Sequence, residues 1–361
     1  GVNGAAPADD SWMSLVTPRL DDKLRTQLDA LRNEMAAAGT VDFSIRPDRQ
    51  RLLQLRQQLA DMGLHGFLIP RTDEHQGEFV APRAERLRWL TGFSGSAGLA
   101  IVLADTAAIF VDGRYTLQVR QQADETVFSP HHLIESPPDK WIAETLPKGG
   151  RLGYDPWLHS QSAAERFAKA AEKAGGELVP VEANPIDAVW GNQPAAPIAP
   201  IHTHDLVFAG KSAADKRREI ADLLSEDGVD AAVLTQPDSI AWLLNVRGGD
   251  VQHTPLPQSY AILFRDSTVE WFVDHRKLVT GLTEELGNEI AVQPVNALGE
   301  KLVDEAYANI VPPAIMAKGD AHTHGEPCQP RWLRAAAVAP APVKRGVVLT
   351  TPRRVLAPPP P

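Results

Sequence analysis

Along this chain the apolar positions switch between two periods in an order that occurs twice. From Pro47 to Gly63 they fall on one face of a 3.6-residue repeat (Leu52, Leu55, Leu59, Met62), which predicts a helix stopped by glycine. The unbroken apolar run LHGFLIP predicts a buried strand after it. A polar loop, RTDEHQGEFVAP, leads to a short helix from Arg83 to Leu90 and then to the glycines of TGFSGSAG. GLAIVL and AAIFVD predict a β-hairpin turning across Ala104–Thr106. A helix from Tyr115 to Ala123, a strand at RLGYDP, a helix from Gln161 to Gly175 with Phe167 and Ala171 inward, and a strand at ELVPV close the first pass.

The second pass opens with the helix KRREIADLLSEDG and the strand VDAAVLT, then AWLLNVRGGDVQHTPLPQSYAILF. Its hairpin ends in Phe272-Val273-Asp274-His275-Arg276, nearly the Phe110-Val111-Asp112-Gly113-Arg114 of the first. The offset is 165 residues between Gly63 and Gly228, 153 between Trp89 and Trp242, and 162 between Phe110 and Phe272. Such small changes fit one scaffold with loops of different length, so the chain is read as a duplicated α/β domain.

Boundaries follow from the same pattern. Residues 1–46 form an extension whose apolar stripe (Leu24, Leu28, Leu31) predicts a helix from Leu20 to Ala38. The first domain takes 47–183, a Pro-rich stretch without periodicity at 184–204 reads as a connector, and the second domain takes 205–310. After Pro147 the first copy continues with a strand, a helix and a strand; after Pro312, at the same offset of 165, the second does not. The second domain is therefore expected to be incomplete. Residues 311–361 hold 11 of the 30 prolines and seven basic side chains (Lys318, Arg331, Arg334, Lys344, Arg345, Arg353, Arg354) against Asp320 and Glu326. That tail, net +5 where the rest of the chain is −15, reads as disordered or out of frame.

Composition narrows the function classes. With 361 residues, 43% of them hydrophobic, two cores can be filled. A net charge of −10 argues against nucleic acid or an anionic membrane as partner. The single cysteine, Cys328, allows no intrachain disulfide and suits a reducing compartment. There is no apolar run of 18 residues, and the start GVNGAAPADDSW lacks the basic and apolar segments of a secretory signal, so a cytoplasmic protein is expected.

Three groups of residues carry candidate chemistry. The loop Asp73-Glu74-His75-Gln76-Gly77-Glu78 leaves a strand end, where α/β sheets place their sites. It suits substrate binding or acid–base work; the competing reading is a polar loop whose acids cap the next helix. Arg86, Arg88, Asp112 and Arg114 suit ion pairs between helix and hairpin. The second copy offers Asp238, Asn245, Arg247, Asp250, His253 and Tyr260 around Gly248-Gly249 and Pro255, as a site or as domain packing. TGFSGSAG fits neither the G-x-S-x-G elbow nor G-x-G-x-x-G. His131-His132, His202/His204 and His322/His324 lack further ligands at zinc spacing.

The Trp89–Gly98 stretch, Val111-Asp112-Gly113-Arg114-Tyr115, DEHQGEFVAP and IAWLLNVRGGDVQHTPLPQSYAI resemble the first two domains of three-domain Xaa-Pro aminopeptidases. The resemblance runs from about Pro47 to about Ile310; Gly77 and Phe79 depart from the family's D-x-H-Q-S-E-Y-x-A-P segment. It implies two tandem creatinase N-terminal-type domains with a ribonuclease-H-like α/β core. It also implies that the C-terminal pita-bread catalytic domain, which holds two divalent ions (usually manganese) on two Asp, one His and two Glu, is absent from this sequence. No catalytic or metal-binding residue carries over, so no cofactor is expected in this chain. In the family the first two domains dimerise and restrict the active site to short Xaa-Pro peptides. The matched residues expected to line that access or an interface are Asp73, His75, Glu78, Arg86, Asp250 and His253. Two functions stand: the N-terminal portion of an Xaa-Pro aminopeptidase, inactive alone, or a non-catalytic module that binds peptides or partners.

Overall fold

The computed structural model describes residues 47–303, together with Val348 and Leu349. The helix expected over Leu20–Ala38, His322, His324, Cys328 and the seven basic residues of the tail lie outside the described residues. Of the N-terminal unit, Gly1–Arg51, only the opening of the first helix is described.

That helix, α1, runs from Pro47 to Asp61. Its Leu52, Leu55 and Leu59 are buried, and Gly63 at φ +65° turns the chain into β1, Gly66–Pro70. A left-handed residue at this stop favours glycine. The first sheet has the order β4-β3-β2-β1-β5-β6, with β2 at Gly98–Leu103, β3 at Ala107–Val111, β4 at Ser129–His132, β5 at Arg151–Tyr154 and β6 at Glu177–Pro180. β1, β2 and β3 pair antiparallel, whereas β4 joins β3, and β5 joins β1 and β6, in parallel. Both faces are covered, which is why β1 to β3 read as unbroken apolar runs. Phe67, Ile69, Ile109 and Val111 face the core that includes α1, and Leu68, Ala108 and Phe110 face the core under α2, Gln161–Ala174. Phe167 and Ala171 of α2 are buried there as the spacing predicts.

The second sheet repeats the plan in the order β12-β11-β10-β8-β13, from β8 (Ala231–Leu234), β10 (Tyr260–Phe264), β11 (Val269–Phe272), β12 (Ile290–Gln293) and β13 (Val348–Leu349). Its core is built on Trp271, Phe272, Ile262 and Ile240. The pair β7 (His202–Thr203) and β9 (Val246–Arg247) stands apart as a two-stranded ribbon.

Three expectations need revision. The stretch 184–204 carries structure at both ends: Asn184 caps a short helix at Pro185–Val189, Ile186 and Trp190 enter the first core, and β7 pairs with the second domain. Pro185 starts that helix, since proline at the first helical position loses no hydrogen bond. Within the tail, Val348 and Leu349 pair in parallel with β8. Arg86, Arg88, Asp112 and Arg114 form no ion pairs between helix and hairpin. Asp112 accepts the backbone N–H of Arg114 at 2.9 Å and takes its guanidinium at 2.6 Å, while Arg88 is exposed and Arg86 pairs elsewhere. Asp274 and Arg276 repeat that local turn, with the guanidinium holding the Asp274 carboxyl down at about 2. A carboxylate that caps a turn and pairs two residues on explains why the Asp-x-Arg signature occurs in both copies.

Candidate functional site

The loops that leave β1 and β8, equivalent strands of the two copies, meet each other. Asp73 folds its own loop: its Oδ1 accepts the backbone N–H groups of His75 and Gly77, each at 3.1 Å. With that oxygen engaged, Oδ2 accepts Gln258 Nε2 from the second domain at 2.9 Å. The Gln258 backbone N–H donates to Asp250 Oδ2 at 2.6 Å, and Lys277 Nζ donates to the same oxygen at 2.6 Å and to Gln258 O at 3.1 Å. Asp73, Asp250 and Lys277 are all buried, so a continuous polar line crosses between the domains away from water. Buried ions need partners: Lys277 and Asp250 neutralise each other, and Asp73 accepts three hydrogen bonds.

Beside that line His75 lies flat on Tyr260, ring centroids 4.6 Å apart at 29°, with Trp157 tilted against Tyr260 at 6.3 Å. His75 Nδ1 is 3.1 Å from the Thr235 carbonyl, which can only accept, so Nδ1 carries the proton. Burial pushes the imidazole below its ordinary value, against the Thr235 carbonyl and the charges of Asp73 and Glu74, so the ring is neutral near pH 7. Burial likewise pushes the Tyr260 phenol up.

A second cluster ties the first domain to the stretch that follows it. Arg86 Nε and Nη2 grip both oxygens of Asp187 at 2.7 and 2.8 Å, Gln193 Nε2 adds a bond to Asp187 at 2.7 Å, and Glu74 sits 3.8 Å from the guanidinium. Burial alone opposes the charge on Arg86, but the Asp187 bond and the charges of Asp187, Glu74 and Asp155 outweigh it and raise the group. Asn184 Nδ2 donates to Asp155 at 2.9 Å, and burial raises the Asp155 carboxyl in spite of that bond.

Of the residues singled out from the sequence, Asp73, His75, Arg86 and Asp250 come together here, with Tyr260. Glu78 and His253 are exposed; Glu78 contributes only its carbonyl, to Arg71 at 3.1 Å. Gln258, Lys277, Thr235, Asp187 and Asn184 were not legible as site residues. Lys277 has one signal, its place directly after the second Asp-x-Arg turn.

The described residues include no group of three or more His, Cys, Asp or Glu placed to hold a metal ion. In the loop after β1 both Asp73 oxygens and His75 Nδ1 are engaged in hydrogen bonds. At the strand ends of β1 and β8, where α/β sheets place their crevices, the two domains hydrogen-bond to each other. What this arrangement does is fix two domains to each other.

Models of the creatinase/prolidase N-terminal domain match residues 51–189 and again residues 192–320. The chain belongs to the creatinase/prolidase N-terminal domain family. Its resemblance to Xaa-Pro aminopeptidases also holds. It is 37% identical over 279 residues to a probable Xaa-Pro aminopeptidase P of Coccidioides posadasii (strain C735), covering 76% of this chain and 42% of that protein. It is 36% identical over 264 residues to a probable Xaa-Pro aminopeptidase P of Paracoccidioides brasiliensis (strain Pb03), covering 72% and 42%. The crystal structure of an X-prolyl aminopeptidase from Caenorhabditis elegans, described as a cytosolic enzyme with a di-nuclear active site, superposes with a TM-score of 0.68 at 25% identity over 73% of this chain and 45% of that one. The chain thus spans about two fifths of the length of the curated relatives it matches. No helix among the described residues is long and apolar enough to cross a membrane.

Proposed function

We propose that these residues serve as the two N-terminal domains of an Xaa-Pro aminopeptidase, a hydrolase that removes an N-terminal residue preceding proline. In this reading they work in the cytoplasm, within a homodimer, as a rigid body that limits the active site to short peptides. They supply no catalytic group. Two divalent, manganese-like ions would be held by the remaining part of such an enzyme, since the described residues offer no donor set for them. The observation that carries the reading is the similarity to aminopeptidase P confined to this two-domain portion. The buried line from Asp73 to Lys277 supports it, because a gate for peptides must keep its two halves in one arrangement. Strand-end loops committed to contacts between the domains favour this scaffold over a peptide-binding module.

The test is a chimera joining this chain to the catalytic portion of the Coccidioides relative, assayed with manganese on Xaa-Pro peptides of increasing length, beside the chain alone. The chimera should cleave short Xaa-Pro peptides and discriminate by length, and the chain alone should cleave none. Cleavage by the chain alone would sink the scaffold role; a folded chimera without activity would sink the aminopeptidase role.

A further inference from the structure

Between β7 and the helix Ala213–Glu226 the chain makes a single helical turn, α3, Leu206–Ala209, none of whose residues is buried. Leu206, Val207 and Phe208 are 56, 76 and 77% exposed. Among the described residues the other exposed large apolar side chains stand singly along the chain. Single ones are ordinary on a protein surface, whereas a continuous run marks a contact surface. Four residues are too few to be helical unaided, so the turn takes its shape from its surroundings. Asp205 caps it, accepting the Val207 N–H at 3.0 Å, and Gly210 closes it at φ +71°. Asn245 grips it from both sides: its carbonyl accepts the His204 N–H at 2.6 Å, and its Nδ2 donates to the Lys211 carbonyl at 2.9 Å. Asn245 is itself fixed by the buried Lys216, whose Nζ donates to Asn245 Oδ1 at 2.6 Å and lies 4.6 Å from the Trp242 ring. The His204 ring lies along Phe208, centroids 6.0 Å apart at 28°. Apolar side chains held in place before contact lose little entropy on binding, which is the property of an interface anchor.

On the aminopeptidase reading, on which this rests, we infer that α3 is the seat of the catalytic portion of such an enzyme, with Val207 and Phe208 entering an apolar recess of that portion. The size of the surface selects this occupant. Three side chains offer only a part of the roughly 800 Å² per side that separate molecules need for a stable complex, which disfavours a free partner or a second copy. A portion tethered in the same polypeptide is held at roughly millimolar effective concentration and needs far less contact. The curated relatives are long enough to carry such a portion, since this chain covers 42% of their length. The surroundings suit a contact of this kind: Asp205 and the ion pair of Lys211 with Glu219, 2.6 Å, give the apolar turn a polar rim.

Hydrogen exchange on the full chain, and on its chimera with the catalytic portion of the Coccidioides relative, tests this. The amides of Phe208, Ala209 and Gly210, which bond to carbonyls of the same turn, should exchange at least about tenfold more slowly in the chimera than in the chain alone. In the chimera carrying V207D/F208D that slowing should vanish. The chain alone should keep its urea midpoint with the same two changes, because the replaced side chains are exposed and acids are tolerated in a first helical turn. Equal exchange of these amides in the chain and in an active chimera overturns the inference and leaves the aminopeptidase role standing. A folded chimera that cleaves no Xaa-Pro peptide overturns that role, and the inference with it. A lower urea midpoint for the V207D/F208D chain assigns α3 to this chain's own stability and overturns the docking role, as does sedimentation showing the chain alone to be a dimer that these changes separate.

Discussion

Replacing Lys277 by methionine keeps most of the buried stem and removes the ammonium that neutralises Asp250. In the wild type both side chains are withdrawn from water, Lys277 Nζ lies 2.6 Å from Asp250 Oδ2, and Oδ1 has no hydrogen-bond partner. After the change the carboxylate keeps only the Gln258 backbone N–H at 2.6 Å. Stranding one member of a buried pair costs about 3–5 kcal/mol, most of it the uncompensated charge rather than the lost attraction. Removing both charges, in Asp250→Leu/Lys277→Met, leaves the Gln258 N–H and carbonyl without these partners but strands no buried charge, and should cost about 1–3 kcal/mol. The double variant should therefore be more stable than Lys277→Met. The assay is urea unfolding followed by tryptophan emission, where Trp271, wholly buried in the second core, reports that domain. A loss below about 1 kcal/mol for Lys277→Met, or a double variant less stable than the single, would refute the reasoning.

Three further changes probe other parts of the molecule. His75 titrates near 6.5 when unfolded and lower when folded, so its contribution is complete above about 6.5 and withdrawn as pH falls below that value. Stability should decline between pH 7 and 5 by urea titration, and His75→Phe, which keeps a ring on Tyr260, should flatten that decline. Arg86→Met leaves Asp187 without its two-pronged partner and should cost about 2–4 kcal/mol, less than a fully buried pair because Asp187 is partly solvated; Arg86→Lys should recover only part of this in thermal melts. A Cβ on Gly66 would stand 2.3 Å from Leu103 Cδ2 and 2.6 Å from the Val102 carbonyl across the β1–β2 ladder, so Gly66→Ala should cost about 1–3 kcal/mol by the same melts.

How much of this was legible varies with the distance over which each contact acts. The helices and hairpins were readable because periodicity and glycine stops are local: Gly63, Gly228 and the Ala104–Thr106 turn stand where expected. The duplication was readable because Asp112–Arg114 and Asp274–Arg276 close turns of only two residues. Asp73 and His75 were selected for their chemical type, but their partners Gln258 and Thr235 lie 185 and 160 residues away, and no local pattern marks either. The spacing suggests a partner for Arg86 in the hairpin, whereas it pairs with Asp187, in a Pro-rich stretch whose Pro185 opens a helix. Val348 and Leu349 show the same limit: a two-residue strand amid prolines gains its meaning only from the flank it joins.

The contact of His75 with Thr235 joins the loop after β1 to the end of its counterpart, β8. Like therefore meets like, as across an isologous dimer interface drawn within one polypeptide. An association of equivalent surfaces saturates at two members, whereas a head-to-tail one would leave a free surface at each end and invite a third. Duplication here produced a closed pair instead of the first units of a filament. The same closure fixes the polarity of the pair, because Asp73 and His75 belong to one member while Gln258 and Tyr260 belong to the other. Neither half can therefore be exchanged for a copy of its sister without losing these contacts.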